Sequence, residues 1–117
     1  MSYDLNFWNY ESGVYLDNQN VYETLSNGEV VDGLEDLPVS EILQSIEKKF
    51  SSPKWEKIDH SNNEAGGGAF QISITNQSLR IDCYGMSGYD MNLFMDVGNE
   101  FSCPLYDPQM GQRFDGT

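Results

Sequence analysis

The sequence predicts an α+β fold, an antiparallel sheet with two to three helices packed on one face. Three observations lead there. Residues 70–75 and 79–84 alternate apolar and polar side chains across Asn76 and Gln77, the pattern of a hairpin. Residues 38–50 carry apolar side chains at helical spacing. Helical and extended stretches come without the regular strand–helix–strand alternation of a parallel sheet. The 117 residues fit one domain, 1–117. A hydrophobic content of 38%, with 13% aromatic, supplies a core that acidic disordered segments lack.

The elements follow in order. Residues 3–8 place Tyr3, Leu5 and Phe7 on one face of a strand, and Val14, Tyr15 and Leu16 read as a short return strand after a turn at 11–13. Asp17 or Asn18 then caps a helix through Val21, Tyr22 and Leu25, which Asn27 and Gly28 stop. Pro38 suits the first turn of the next helix, with Val39, Ile42, Leu43, Ile46 and Phe50 on its buried face. Pro53 closes that segment. Trp55 and Ile58 form an apolar pair before a polar loop at 59–68. In the central hairpin, Phe70, Ile72 and Ile74 match Leu79, Ile81 and Cys83. Ser87, with Asp90 three residues on, starts a third helix through Met91, Phe94, Met95 or Val97, and Phe101. Gly98 should weaken it by about 1 kcal/mol. Cys103 and Pro104 end it, and the tail turns at 105–109 to return through Gln112, Arg113 and Phe114.

Charge is the most telling feature of the composition. Nineteen acids oppose six lysines and arginines, a net charge of −13. Residues 1–47 contain ten of the acids and no cation. Such a field repels nucleic acid and anionic membranes and attracts basic surfaces. The plainer alternative is that acidity serves solubility. The N-terminal residues lack the basic and apolar regions of a signal peptide. No apolar run reaches the roughly 18 residues of a membrane span. The expected compartment is therefore the cytoplasm, with Cys83 and Cys103 reduced and buried.

Motifs for catalysis are scarce. His60 is the only histidine, in a polar loop with no nucleophile–base spacing around it. One histidine and two distant cysteines match no common zinc pattern. Gly66, Gly67 and Gly68 lack the Lys-Ser/Thr ending of a phosphate loop and precede a strand, which suits a flexible join or a bulge. Neither 17–20 nor 32–36 keeps the calcium-loop pattern of an EF-hand, although an irregular calcium site stays open. The expectation is a binding protein, not an enzyme, with no metal and no cofactor.

The run at 29–37 carries Glu29, Asp32, Glu35 and Asp36 around Gly33. It reads either as a solvated loop with a helix cap or as an acidic docking loop for lysine and arginine. Asp17 and Tyr106 complete the candidate partner-binding set. Tyr10, Tyr15, Tyr22 and Tyr89 are further aromatic anchors of a kind enriched at interfaces, several of them destined for the core.

Residues 81–96, from Ile81 through Cys83, Tyr84, Ser87, Tyr89, Asp90 and Phe94 to Asp96, are followed by 103–109, from Cys103 and Pro104 to Gln109. Together with length and acidity, this stretch resembles small bacterial immunity proteins of contact-dependent growth inhibition and related toxin systems. The shared feature is a helix start, a helix and a proline turn, and it brings no inhibitory residue with it. The resemblance implies a cognate toxin domain as partner, a basic nuclease, inhibited by occlusion of its active site across roughly 1,600 Å². Two other readings stay beside it: an acidic adaptor for a basic host protein, and a small carboxylate-based hydrolase, whose paired acids would be set only in three dimensions.

Overall fold

The computed structural model of the protein describes residues 2–50, 56–57, 62–65 and 68–114. Pro53, Trp55, Ile58, His60, Gly66 and Gly67 lie outside the described residues. The elements are β1 (Ser2–Phe7), α1 (Asn18–Ser26), α2 (Val39–Lys49), β2 (Glu56–Lys57), β3 (Asn62–Ala65), β4 (Gly68–Ile74), β5 (Leu79–Tyr84), α3 (Gly88–Glu100), β6 (Leu105–Asp107) and β7 (Gln112–Arg113). All described pairings are antiparallel, in the order β2-β3-β4-β5-β1-β6-β7. The chain is α+β, as its patterning predicts.

Strand alternation sorts the side chains onto two faces. On one, Leu5 and Phe7 of β1 join Phe70 and Ile72 of β4, Leu79, Ile81 and Cys83 of β5, and Leu105 of β6. Helices α2 and α3 cover this face with Ile42, Ile46, Phe94 and Val97. Phe50 stacks on Phe94 at 4.7 Å, and both lie close to Phe70, at 4.7 and 5.0 Å between ring centroids. Burying side chains of this size stabilises the fold by about 1.5–3 kcal/mol each.

Helix α1 lies against the opposite face. Its Tyr22 donates a hydrogen bond to Asp4 of β1 at 3.0 Å and meets the Tyr106 ring at 5.8 Å. Asp4 alternates with Leu5, and Tyr106 pairs with Asn6, so both point away from the larger core. Trp8, Val21, Leu34 and Tyr106 form a second, smaller core there. Two of the three helices thus share a face, and the third closes the other side.

The helix ends show why each element stops. Asp17 caps α1, its side chain accepting from the Gln19 N–H at 3.4 Å. Ser87 caps α3 by accepting from the Asp90 N–H at 3.1 Å. Pro38 precedes α2 as its cap residue, one position before the first-turn placement expected of it. Both α1 and α3 finish in paired reverse bonds from a left-handed residue and its successor. Gly28 and Glu29 donate to Leu25 and Thr24 at 3.0 and 3.1 Å; Ser102 and Cys103 donate to Asn99 and Gly98 at 3.2 and 2.8 Å.

Three expectations of the elements change. The polar loop expected at 59–68 contains a strand, β3, which pairs with β4 from Asn62 opposite Gln71 to Ala65 opposite Gly68. Val14, Tyr15 and Leu16 form no strand. Instead, Val14 bonds back to Glu11 at 3.0 Å, while Glu11 and Glu35 bond across to Gly33 and Asn9 at 2.8 Å each. The short bridge that forms is Tyr10 with Leu34, so the backbone partner of this region is the 29–37 run. Gly98 is also more than a weak helix residue. A Cβ there would sit 2.7 Å from the Phe7 ring and 2.8 Å from the Cys103 carbonyl. The absent side chain is what lets α3 approach β1.

Candidate functional site

The acid run at 29–37 is a held loop. Glu29 ends α1 through its bond to Thr24. Gln77, in the β4–β5 turn, grips Val31 twice: its side-chain oxygen accepts from the Val31 N–H at 3.0 Å, and its amide donates to the Val31 carbonyl at 2.6 Å. Leu37 donates to the Asn76 carbonyl at 2.6 Å. Leu34 and Val31 pack into the smaller core between these ties. Gly33, at φ 99°, lies where a Cβ would come within 2.9 Å of Val14. A side chain there would push the 11–17 segment away from the run.

Glu29, Asp32, Glu35 and Asp36 are all exposed. Among the described residues, no lysine or arginine pairs with any of the four. Glu29 and Asp36 line one groove of about 320 Å³ with Val30, Gln77 and Ser78. Asp17 lies across Val30 from them, lining a second groove of about 290 Å³ with Leu16, Val21 and Val31. Tyr106 does not join this surface. It is 1% exposed, its ring 5.2 Å from Trp8, and its hydroxyl donates to Gln19. Burial, followed by the nearby Asp17 charge, holds its phenol above the ordinary tyrosine range. Tyr106 supports the loop surface from beneath and is no surface anchor.

Compared with family models, curated proteins and solved structures, the chain matches none. The aromatic candidates divide clearly. Tyr15 and Tyr89 are 83% and 78% exposed, whereas Tyr10 and Tyr22 are half-buried beside the smaller core. Leu16, at 41%, and Val30, at 79%, are exposed apolar residues that periodicity did not single out. The sequence signal for Leu16 is its place just before the cap Asp17, with Val21 four residues into the helix, the spacing of a hydrophobic staple.

A second polar cluster lies beside α1 on the same face of the sheet. The Asp4 carboxylate accepts from Tyr22 and from Asn6, each at 3.0 Å, and lies 3.8 Å from Arg80. Arg80 donates to Asp82 at 3.1 Å and to Ser26 at 3.3 Å. Asn6, Tyr22, Ser26, Arg80 and Asp82 border a cleft of about 400 Å³. Asp4 and Asp82 are register partners on adjacent strands and share one guanidinium, an arrangement that ties α1 to the sheet. Among the described residues, no group of three or more histidine, cysteine, aspartate or glutamate side chains is placed to hold a metal. No helix among them is long and apolar enough to cross a membrane.

Proposed function

We propose that the protein is an immunity protein that binds and neutralises a cognate toxin domain, a basic nuclease, by covering its active site. The observation that carries this reading is the held acidic loop. Glu29, Asp32, Glu35 and Asp36 stand exposed and without a described cationic partner, on a backbone fixed by Gln77, Asn76 and Asn9. Fixing the loop before binding lowers the ordering cost that association must otherwise overcome. Carboxylates displayed in this way suit a cleft built to hold phosphates, because lysine and arginine recognise both groups through the same charge-assisted hydrogen bonds. The cation-free sequence of residues 1–47 extends the same field and favours rapid encounter with a basic partner. The protein would act in the compartment where the toxin meets its nucleic-acid substrate, the cytoplasm.

The test is co-expression with the polypeptide encoded beside it in a bacterial host. Wild-type protein is expected to restore growth when that polypeptide alone arrests it. The combined reversal Glu29→Lys, Asp32→Lys, Glu35→Lys and Asp36→Lys is expected to abolish rescue while leaving the fold intact by circular dichroism. Full rescue by the folded reversal variant sinks this placement of the site. Failure of the wild type to rescue sinks the immunity reading itself.

A further inference from the structure

The exposed apolar residues near the acid loop are not scattered. Tyr15 and Leu16 border one depression of about 450 Å³, floored in part by Arg113, and Leu16 and Val30 border the groove of about 290 Å³. Val30 also borders the groove that holds Glu29 and Asp36, so it stands as a ridge between the two. Carboxylates flank this apolar strip through Asp17, next to Leu16, and Glu29, next to Val30. Apolar side chains at the centre of a charged rim are the usual anatomy of a protein interface.

We infer that the strip formed by Tyr15, Leu16 and Val30 receives a basic amphipathic segment of a protein partner. Lysine or arginine side chains of that segment meet Asp17 and Glu29, and an apolar side chain between them enters the groove between Leu16 and Val30. Charge selects this occupant. A second copy of the chain docking through the same patch would set the Asp17 and Glu29 carboxylates of one copy against the acidic patch of the other, because a two-fold interface pairs a surface with itself. Nucleic acid and anionic lipid are repelled by the same carboxylates. The inference deepens the immunity reading and rests on it for the partner's identity, but the surface chemistry can be tested without the toxin.

Two short synthetic peptides serve as probes, one alternating lysine with leucine and one alternating lysine with glycine, matched in length and charge. Each is titrated into isotopically labelled full-length protein and followed by backbone amide shifts. The lysine–leucine peptide is expected to bind at least about tenfold tighter, as burial of one apolar anchor implies. Its shifts should centre on Leu16, Asp17 and Val30. The variant Leu16→Ser with Val30→Ser changes exposed positions, and it should erase the preference while keeping salt-sensitive binding of both peptides. Tyr15→Ala should reduce the preference alone. Equal affinity for the two peptides, an unchanged preference in the double variant, or shifts confined to another face overturns the inference. Growth protection separates the two claims: a normal peptide preference without protection sinks the immunity reading alone, and protection without the preference sinks this docking mode alone.

Discussion

Arg113 shows how a charged residue can serve a core. In the sequence it is one of two cations after residue 58, in the tail that returns through Gln112, Arg113 and Phe114. In the fold it is 4% exposed, donates to the Trp8 carbonyl at 2.7 Å, and lies 4.6 Å from the Tyr10 ring centroid. That guanidinium supports the smaller core from which the 9–17 and 29–37 segments project. The cysteines were easier to read, because their apolar neighbours at matching strand and helix-end positions already implied burial. Both thiols are free and buried, and burial pushes each up to about 12. Since the folded chain holds these protons more tightly than the unfolded one, their contribution is fully present below about pH 8.5, the ordinary thiol range. It is lost as pH rises toward 12. Neither thiol should therefore react with an aromatic disulfide reagent at neutral pH until denaturant is added. Rapid labelling of either cysteine in the folded protein contradicts the burial described here.

Among the elements, α3 offers the sharpest contrast between local propensity and packing. Propensity alone says that Gly98→Ala should stabilise the helix by about 1 kcal/mol. The contacts at 2.7 and 2.8 Å, one of them to backbone, say the reverse. Overpacking of this kind costs about 1–3 kcal/mol, so the urea midpoint should fall. A rise would mean that α3 stands off from β1. The 29–37 loop gives the second prediction at this scale. Gln77→Ala removes both side-chain bonds to Val31 without altering charge. Amide exchange at Val31 should speed up, and partner affinity should fall severalfold through lost preorganisation. Unchanged exchange at Val31 would show that Gln77 does not hold the loop. Caps and periodicity made α1, α2, α3 and the β4–β5 hairpin legible, since each depends on residues a few positions apart. The pairing of Tyr10 with Leu34 and the grip of Gln77 on Val31 were not legible, because they join segments whose meeting depends on the whole fold. Tyr106 reads as a surface residue in the sequence for the same reason: only the assembled sheet shows that it faces α1.

At the scale of the molecule, charge asymmetry was fully visible in the sequence, but the surface it creates was not. The sequence shows ten acids before the first cation. The fold places the 9–17 and 29–37 segments side by side and brings exposed apolar residues between their carboxylates. A net charge of −13 on a body with a radius of gyration of 13.9 Å also carries a cost in self-repulsion. Raising salt from about 0.01 to 0.15 M shortens the Debye length from about 30 to 8 Å, so the melting temperature should rise over that range. A fall would imply that attractive pairs outweigh repulsion among the surface charges.

The central claim is that the held acidic loop is the surface that meets a basic partner. Its most direct test is calorimetric titration of the purified partner over a range of salt, with wild type and with the reversal at Glu29, Asp32, Glu35 and Asp36. Wild-type affinity should weaken as salt rises. The reversal should bind at least about 100-fold more weakly at low salt, since several charge pairs become repulsive, and should lose that salt dependence. Equal affinity and equal salt dependence for the two proteins would contradict the account.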